Sequence, residues 1–261
     1  MITEARRKKI LEMIEREGIV NLQQLTEAFD VSIYTIRRDL TDLEEKGLLK
    51  KTHGGATRIE KTKWIPSMEE GKSEALEEKK AIAAKAIEFI ENGDTIMLMG
   101  STIGLFMIPM MRDKNITVVT NSLDVAKELS HIDSIETIVI GGRIKNYKGN
   151  ILGSRAVNDL RNYYFDKAFI PCAGIKDDFG ISTSTIESAD FLKTLMECTK
   201  KNIVIADYRK IGRITFSKVC DVQKIDMLIT DENANKEELH RISKHGVKVE
   251  VTKMLHNSNK R

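Results

Sequence analysis

Little in this chain of 261 residues points to a cross-link or a metal. It has three cysteines, Cys172, Cys198 and Cys220, odd in number and widely spaced. That excludes a disulfide framework and a CxxC metal site, and fits free thiols in a reducing cytoplasm. The histidines do not cluster with them, so neither a metal nor a cofactor is expected. No apolar run reaches the ~20 residues that span a bilayer. Charge begins at Glu4 and no signal-peptide segment follows, so the expectation is a cytoplasmic protein with no membrane contact. Strong net charge is missing too. The balance is +3 overall, and residues 1–58 carry eleven Lys/Arg against ten Asp/Glu, so bulk basicity says nothing about nucleic acid.

What is present is an ordinary globular composition, 41% hydrophobic and 31% charged, long enough for one small and one larger domain. The eleven methionines include Met107, Met110 and Met111, which read as core filler on a helix. The N-terminal part is organised around residues 31–40, Val-Ser-Ile-Tyr-Thr-Ile-Arg-Arg-Asp-Leu. Ser32 can cap a first-turn amide. Ile33, Ile36, Leu40 and Leu43 make an apolar stripe at helical spacing, and Tyr34, Thr35, Arg37 and Arg38 point away from it. A buried seam under a polar face is the layout of a recognition helix. Upstream, 6–17 predicts a helix with Ile10, Leu11, Met13 and Ile14 on one face. Asn21 opens a second, paired with Gln24 as a capping box, with Leu22, Leu25, Ala28 and Phe29 inward. Downstream, 48–53 and 56–58 predict two strands around Gly54-Gly55.

An Arg-Arg pair alone is more often a solvated face. Helix, turn, helix and hairpin in that order carry the reading of a winged helix-turn-helix. Ser32, Tyr34, Thr35, Arg37 and Arg38 are then candidate DNA contacts, with Lys50, Lys51 and Arg58 on the wing for phosphates. Residues 32–40, with Gly47-Leu48-Leu49 and His53-Gly54-Gly55-Ala56 behind them, resemble the DeoR family of bacterial transcriptional regulators. That resemblance implies a winged helix joined to a domain that senses a phosphorylated sugar.

Residues 59–75 read as a linker, rich in charge, with Pro66, Gly71 and the lone Trp64, which reads as docked on one domain. From 76 to 261 apolar strands alternate with helices. The strands are 95–99, 116–120, 136–140, 167–170, 203–206, 227–230 and 247–251, and the helices 76–90, 102–111, 123–130, 157–163, 188–199 and 236–244. This predicts an α/β, Rossmann-like, mostly parallel sheet covered on both faces. Ligands of such sheets bind beyond the carboxyl ends of the strands. The residues there are Gly100, Ser101 and Thr102; Asn121 and Ser122; Gly141 and Gly142; Asp207 and Lys210. Gly-Gly is more often a turn and Asn-Ser more often a cap. Their recurrence at successive strand ends predicts a shared polyol-phosphate pocket, helped by free amides after the first strand.

The resemblance extends to 117–122, Gly141-Gly142, 166–170, Ala206-Asp207 with Lys210, and 225–231. It implies a sensor fold similar to ribose-5-phosphate isomerase and coenzyme A transferases. The chain departs from the family in one notable run, Met99-Gly100-Ser101-Thr102-Ile103, where the family usually has Asp-Ser-Gly-Thr-Thr. An aspartate there would bind sugar hydroxyls; Met99 cannot. Pro171 also stands where the family tends to glycine.

The expected function is a sequence-specific regulator, not an enzyme. It would repress a carbohydrate-utilisation operon, bind double-stranded operator DNA as a homodimer or homotetramer, and answer to a phosphorylated sugar. One alternative is a member of the same family that answers to a non-sugar signal or to none. The other is a sugar-phosphate isomerase-like enzyme using Asp207, Lys210 or Glu187.

Overall fold

The computed structural model describes residues 3–45, 48–52, 54–57, 74–144 and 149–253. The chain divides into two units, Met1–Lys61 and Thr62–Arg261. Arg58, His53, Trp64 and nearly all of the expected linker lie outside the described residues.

The first unit begins with α1 (Thr3–Glu17), which ends at Gly18, where φ is +76°. A short strand follows, β1 (Ile19–Asn21), which the sequence did not reveal. Next come α2 (Leu22–Phe29) and α3 (Ile33–Glu45). The Asn21–Gln24 capping box is present at the start of α2. The wing is β2 (Lys50–Thr52) and β3 (Gly55–Thr57), and β1 pairs with β3 to make it three-stranded. Gly55 is required where β3 crosses β1, because a Cβ there would lie 1.9 Å from the Val20 carbonyl oxygen. Ile10, Ile14, Leu25, Phe29, Ile36, Leu40, Leu43 and Leu49 form the core. Of the other residues expected inward, Leu11, Met13 and Leu22 are half-buried against this core and two are exposed. Ala28, one residue before the buried Phe29, is exposed, and Ile33, the first residue of α3, is 40% exposed.

The second unit opens with α4 (Leu76–Ile87), β4 (Thr95–Leu98), α5 (Thr102–Met107), β5 (Ile116–Thr120), α6 (Leu123–Leu129) and β6 (Ile135–Val139). A two-stranded arm, β7 (Arg143–Ile144) and β8 (Ile151–Leu152), leads to α7 (Ser154–Leu160) and β9 (Lys167–Pro171). Then come β10 (Gly174–Lys176), β11 (Gly180–Thr183), α8 (Ile186–Glu197), β12 (Asn202–Ile205) and β13 (Ser217–Cys220). The unit closes with β14 (Met227–Asp231), α9 (Lys236–Ser243) and β15 (Lys248–Thr252).

Seven strands form one sheet in the order β15-β14-β12-β9-β4-β5-β6, every neighbouring pair parallel. Alternate residues feed two cores, as the period of a strand requires. Met97, Ala168, Val204 and Leu228 lie on one face, and Ile96, Phe169, Ile203 and Met227 on the other. The strand order reverses between β4 and β9. An antiparallel trio, β10-β11-β13, stands apart from the sheet. No helix among the described residues is long and apolar enough to cross a membrane.

Candidate functional site

On α3, Ser32 Oγ accepts from the Thr35 amide at 3.2 Å and so caps the helix. Tyr34 is 78% exposed, and Arg37 and Arg38 are exposed beside it. Neither guanidinium has an ion pair among the described residues. The next residue is the opposite case. Asp39 is 1% exposed and sits between two arginines of α1. Arg6 Nε donates to its Oδ2 at 2.6 Å and Arg7 Nε to its Oδ1 at 2.8 Å. Arg7 Nη2 reaches Asp42. One buried carboxylate thus locks α3 to α1, immediately after the exposed Arg37-Arg38 pair. On the wing, Lys50 is exposed, but Lys51 is half-buried. The Lys51 Nζ donates to Thr41 Oγ1 at 2.8 Å and its amide to Glu44 Oε1 at 2.7 Å, so it braces the wing on α3.

In the second unit a cavity of about 400 Å³ opens at the carboxyl ends of β4, β9 and β12, on either side of the reversal in strand order. Gly100, Ser101, Thr102, Asp207 and Lys210 line it, as expected. Asn121, Ser122, Gly141 and Gly142 do not, and their groups are engaged elsewhere. Asn121 Nδ2 donates to the Ile151 carbonyl at 3.1 Å, and Ser122 Oγ caps α6. The Gly141 amide donates to Asp159 Oδ2 at 3.0 Å. Gly142, at φ +152°, packs against Ile151. Asn121, Ser122 and Gly142 thus meet the β7–β8 arm, which brings Arg143, Asn150 and Leu152 to the cavity wall. Gly100 is the meeting point, since a Cβ there would lie 2.0 Å from Asn150 Oδ1 and 2.7 Å from Ser122 Oγ. Ser101 Oγ is spent on capping α5, where it accepts from the Gly104 amide at 2.9 Å.

The cavity is polarised. Met99, Ile103 and Leu192 give it an apolar wall. Beyond β12 stand Lys79, Arg209, Lys210 and Arg213, none of which except Lys210 was anticipated from sequence. Arg209 forks onto Asp207, with Nε to Oδ1 at 2.8 Å and Nη2 to Oδ2 at 3.0 Å. Burial opposes the Asp207 charge, yet the Arg209 hydrogen bonds and charge outweigh it and hold the carboxyl below its usual range. Burial pulls the Lys210 ammonium down, Asp207 partly restores it, and Arg209 and Arg213 lower it further. Lys79 is pulled down to about 8, first by burial and then by the Arg209 charge. Burial pushes the Cys172 thiol up to about 12, so this cavity cysteine is an inert one. Asp231, behind the site, is spent on the Tyr208 and Asn233 amides at 2.8 and 3.0 Å. Among the described residues no group of side chains could hold a metal ion.

A model of the DeoR-like helix-turn-helix domain matches residues 6–62. A model of the DeoR C terminal sensor domain matches residues 74–232. The chain belongs to the DeoR family. It is 35% identical to the HTH-type transcriptional regulator FruR of Bacillus subtilis, over 88% of this chain and 92% of that one. It is 32% identical to the regulator YulB of the same organism, over 95% and 96%. To the transcriptional repressor GlcR, again of Bacillus subtilis, it is 30% identical, over 97% of each. A solved ribose 5-phosphate isomerase A of Methanocaldococcus jannaschii matches 51% of this chain and 52% of that one, at TM-score 0.38 and 13% identity. As a DeoR-family member the chain is a transcriptional regulator and not an enzyme, with a DNA-binding helix-turn-helix and a domain that takes an effector. Asp207, one of the three acid/base candidates of the enzyme reading, is committed to Arg209.

Proposed function

We propose that this regulator is a cytoplasmic repressor of a carbohydrate-utilisation operon, released from its operator by a phosphorylated sugar bound in the cavity of the second unit. Arg37, Arg38, Tyr34 and Thr35 contact bases and backbone in a groove, Ser32 holds the helix start, and Lys50 and Arg58 meet phosphates. Two such heads in a homodimer or homotetramer read two half-sites. Relatives described as the GlcR repressor and a putative aga operon repressor support the regulatory sense.

The observation that carries the effector reading is the cation group beyond β12. Lys79, Arg143, Arg209, Lys210 and Arg213 line one cavity with two carboxylates, Asp207, which is paired with Arg209, and Glu187, so cations outnumber carboxylates there. Such a group favours an anion of high charge density, and a phosphate monoester carries about −1.5 to −2 charges at neutral pH. Met99 and Ile103 favour an effector with few hydroxyls at the β4 end. Calorimetry with a panel of sugar phosphates tests this. Binding of at least one at micromolar concentration is expected, and no binding at millimolar concentration would favour a non-sugar signal or none.

The affinity should depend on pH in a stated direction. Burial and the Arg209 charge pull Lys79 down to about 8, and an anion binds its protonated form. Affinity should therefore weaken as pH rises through 8, by up to about tenfold per unit. It should also weaken below about pH 6, where the phosphate loses its second charge. Calorimetric dissociation constants between pH 5.5 and 9.5 check this profile. In the Lys79→Met variant the fall above pH 8 should shrink, the remainder coming from Lys210, whose ammonium burial also pulls down.

A further inference from the structure

Glu74 lies two residues before α4, on the side of the second unit's helices and strands that leads in sequence to the DNA-binding unit. Two cavity cations hold it. Its carboxylate accepts from Arg209 Nη1, and its main-chain carbonyl accepts from Lys79 Nζ at 2.7 Å. The next residue, Ala75, has φ +51° and ψ +44°, in the left-handed region that side chains disfavour. A strained residue persists where its surroundings over-determine it, and the ties on Glu74 do that here.

Arg209 has two acidic partners of different standing. The Asp207 carboxylate is buried and forked, whereas the Glu74 side chain is 52% exposed. An anion entering the cavity can displace Glu74 from Arg209 far more readily than Asp207. We propose that Glu74 is an internal competitor for the anionic group of the effector, and that its displacement frees the junction at Ala75 and so carries the signal toward the DNA-binding unit. The inference rests on the anionic-effector reading above. It adds a specificity rule: a ligand must bring a full negative charge to displace a carboxylate, so the unphosphorylated sugar does not act.

The probe is inorganic phosphate, titrated calorimetrically into the full chain. Glu74→Gln keeps the shape and removes the charge, and should bind phosphate about fivefold or more tighter than the wild type. Glu78→Gln is the control, because Glu78 lies nearby but bonds Asn233 Nδ2 at 3.0 Å; it should bind as the wild type does. Without phosphate, Glu74→Gln should also hold DNA from upstream of its own gene with an affinity shifted toward that of the phosphate-loaded wild type. Equal phosphate binding by wild type and Glu74→Gln overturns the competition and leaves the anionic cavity standing. Equal tightening in both variants overturns it as a general field effect. An unshifted DNA affinity overturns the transmission to the DNA-binding unit, and no binding by any of the three overturns the anionic reading itself.

Discussion

Replacing Arg37 and Arg38 together by alanine should abolish sequence-specific operator binding and leave the protein folded. Both side chains are exposed, so their loss should move stability by no more than about 0.5 kcal/mol. An arginine that is bidentate to guanine supplies roughly 1–3 kcal/mol of discrimination, so the pair accounts for roughly 2–6 kcal/mol. Loss of two cations should also flatten the plot of log affinity against log salt by up to about two units. Shift assays over a salt series, with circular dichroism of the same samples, measure both. Retained specific retardation by the double variant would remove α3 from the reading surface.

Asp39→Ala should produce the largest loss of stability. The substitution takes one shared, buried carboxylate from two guanidinium groups. Removing one side of such a network costs about 3–5 kcal/mol, because the remaining charges stay out of water. In a unit of this size that corresponds to a fall in melting temperature on the order of 15–30 °C. Asp42→Ala removes only the outer, more exposed member and should cost about 1 kcal/mol or less. Thermal melts of the two variants side by side check the difference. Similar small shifts in both would mean that Asp39 does not lock α3 to α1.

The helix α3 was legible in the sequence because one seam, Ile36, Leu40 and Leu43, repeats at helical spacing beneath a cap. The alternation of strands and helices after residue 76 was legible for the same reason, and it located the carboxyl ends where the cavity lies. The elements that went unread are short. β1, β7, β8 and the β10-β11-β13 trio have two to four residues each, too few to show a period of two.

The cavity was half legible. Gly100, Ser101 and Thr102 follow β4, at the switch point, and Asp207 and Lys210 follow β12, one strand beyond it. Asn121, Ser122, Gly141 and Gly142 follow strands further toward the β6 edge, where Asn121, Ser122 and Gly142 meet the β7–β8 arm and Gly141 bonds α7. Lys79 left no local signal. In sequence it is one of several charged residues at a helix start, and only the packing of α4 beside the strand ends turns it inward. Arg209 and Arg213 flank Lys210 closely enough that the run 207–213 could have been read as one cationic turn.

Operator affinity of the full chain, measured with and without each of a panel of sugar phosphates, tests the central claim most directly. At least one phosphorylated sugar should change the affinity 5- to 150-fold, the span of roughly 1–3 kcal/mol of coupling between sites. The unphosphorylated sugar should leave it unchanged, and Lys210→Ala should erase the response while keeping operator binding. An affinity indifferent to every phosphorylated sugar at millimolar concentration, or a full response surviving in Lys210→Ala, would contradict the account.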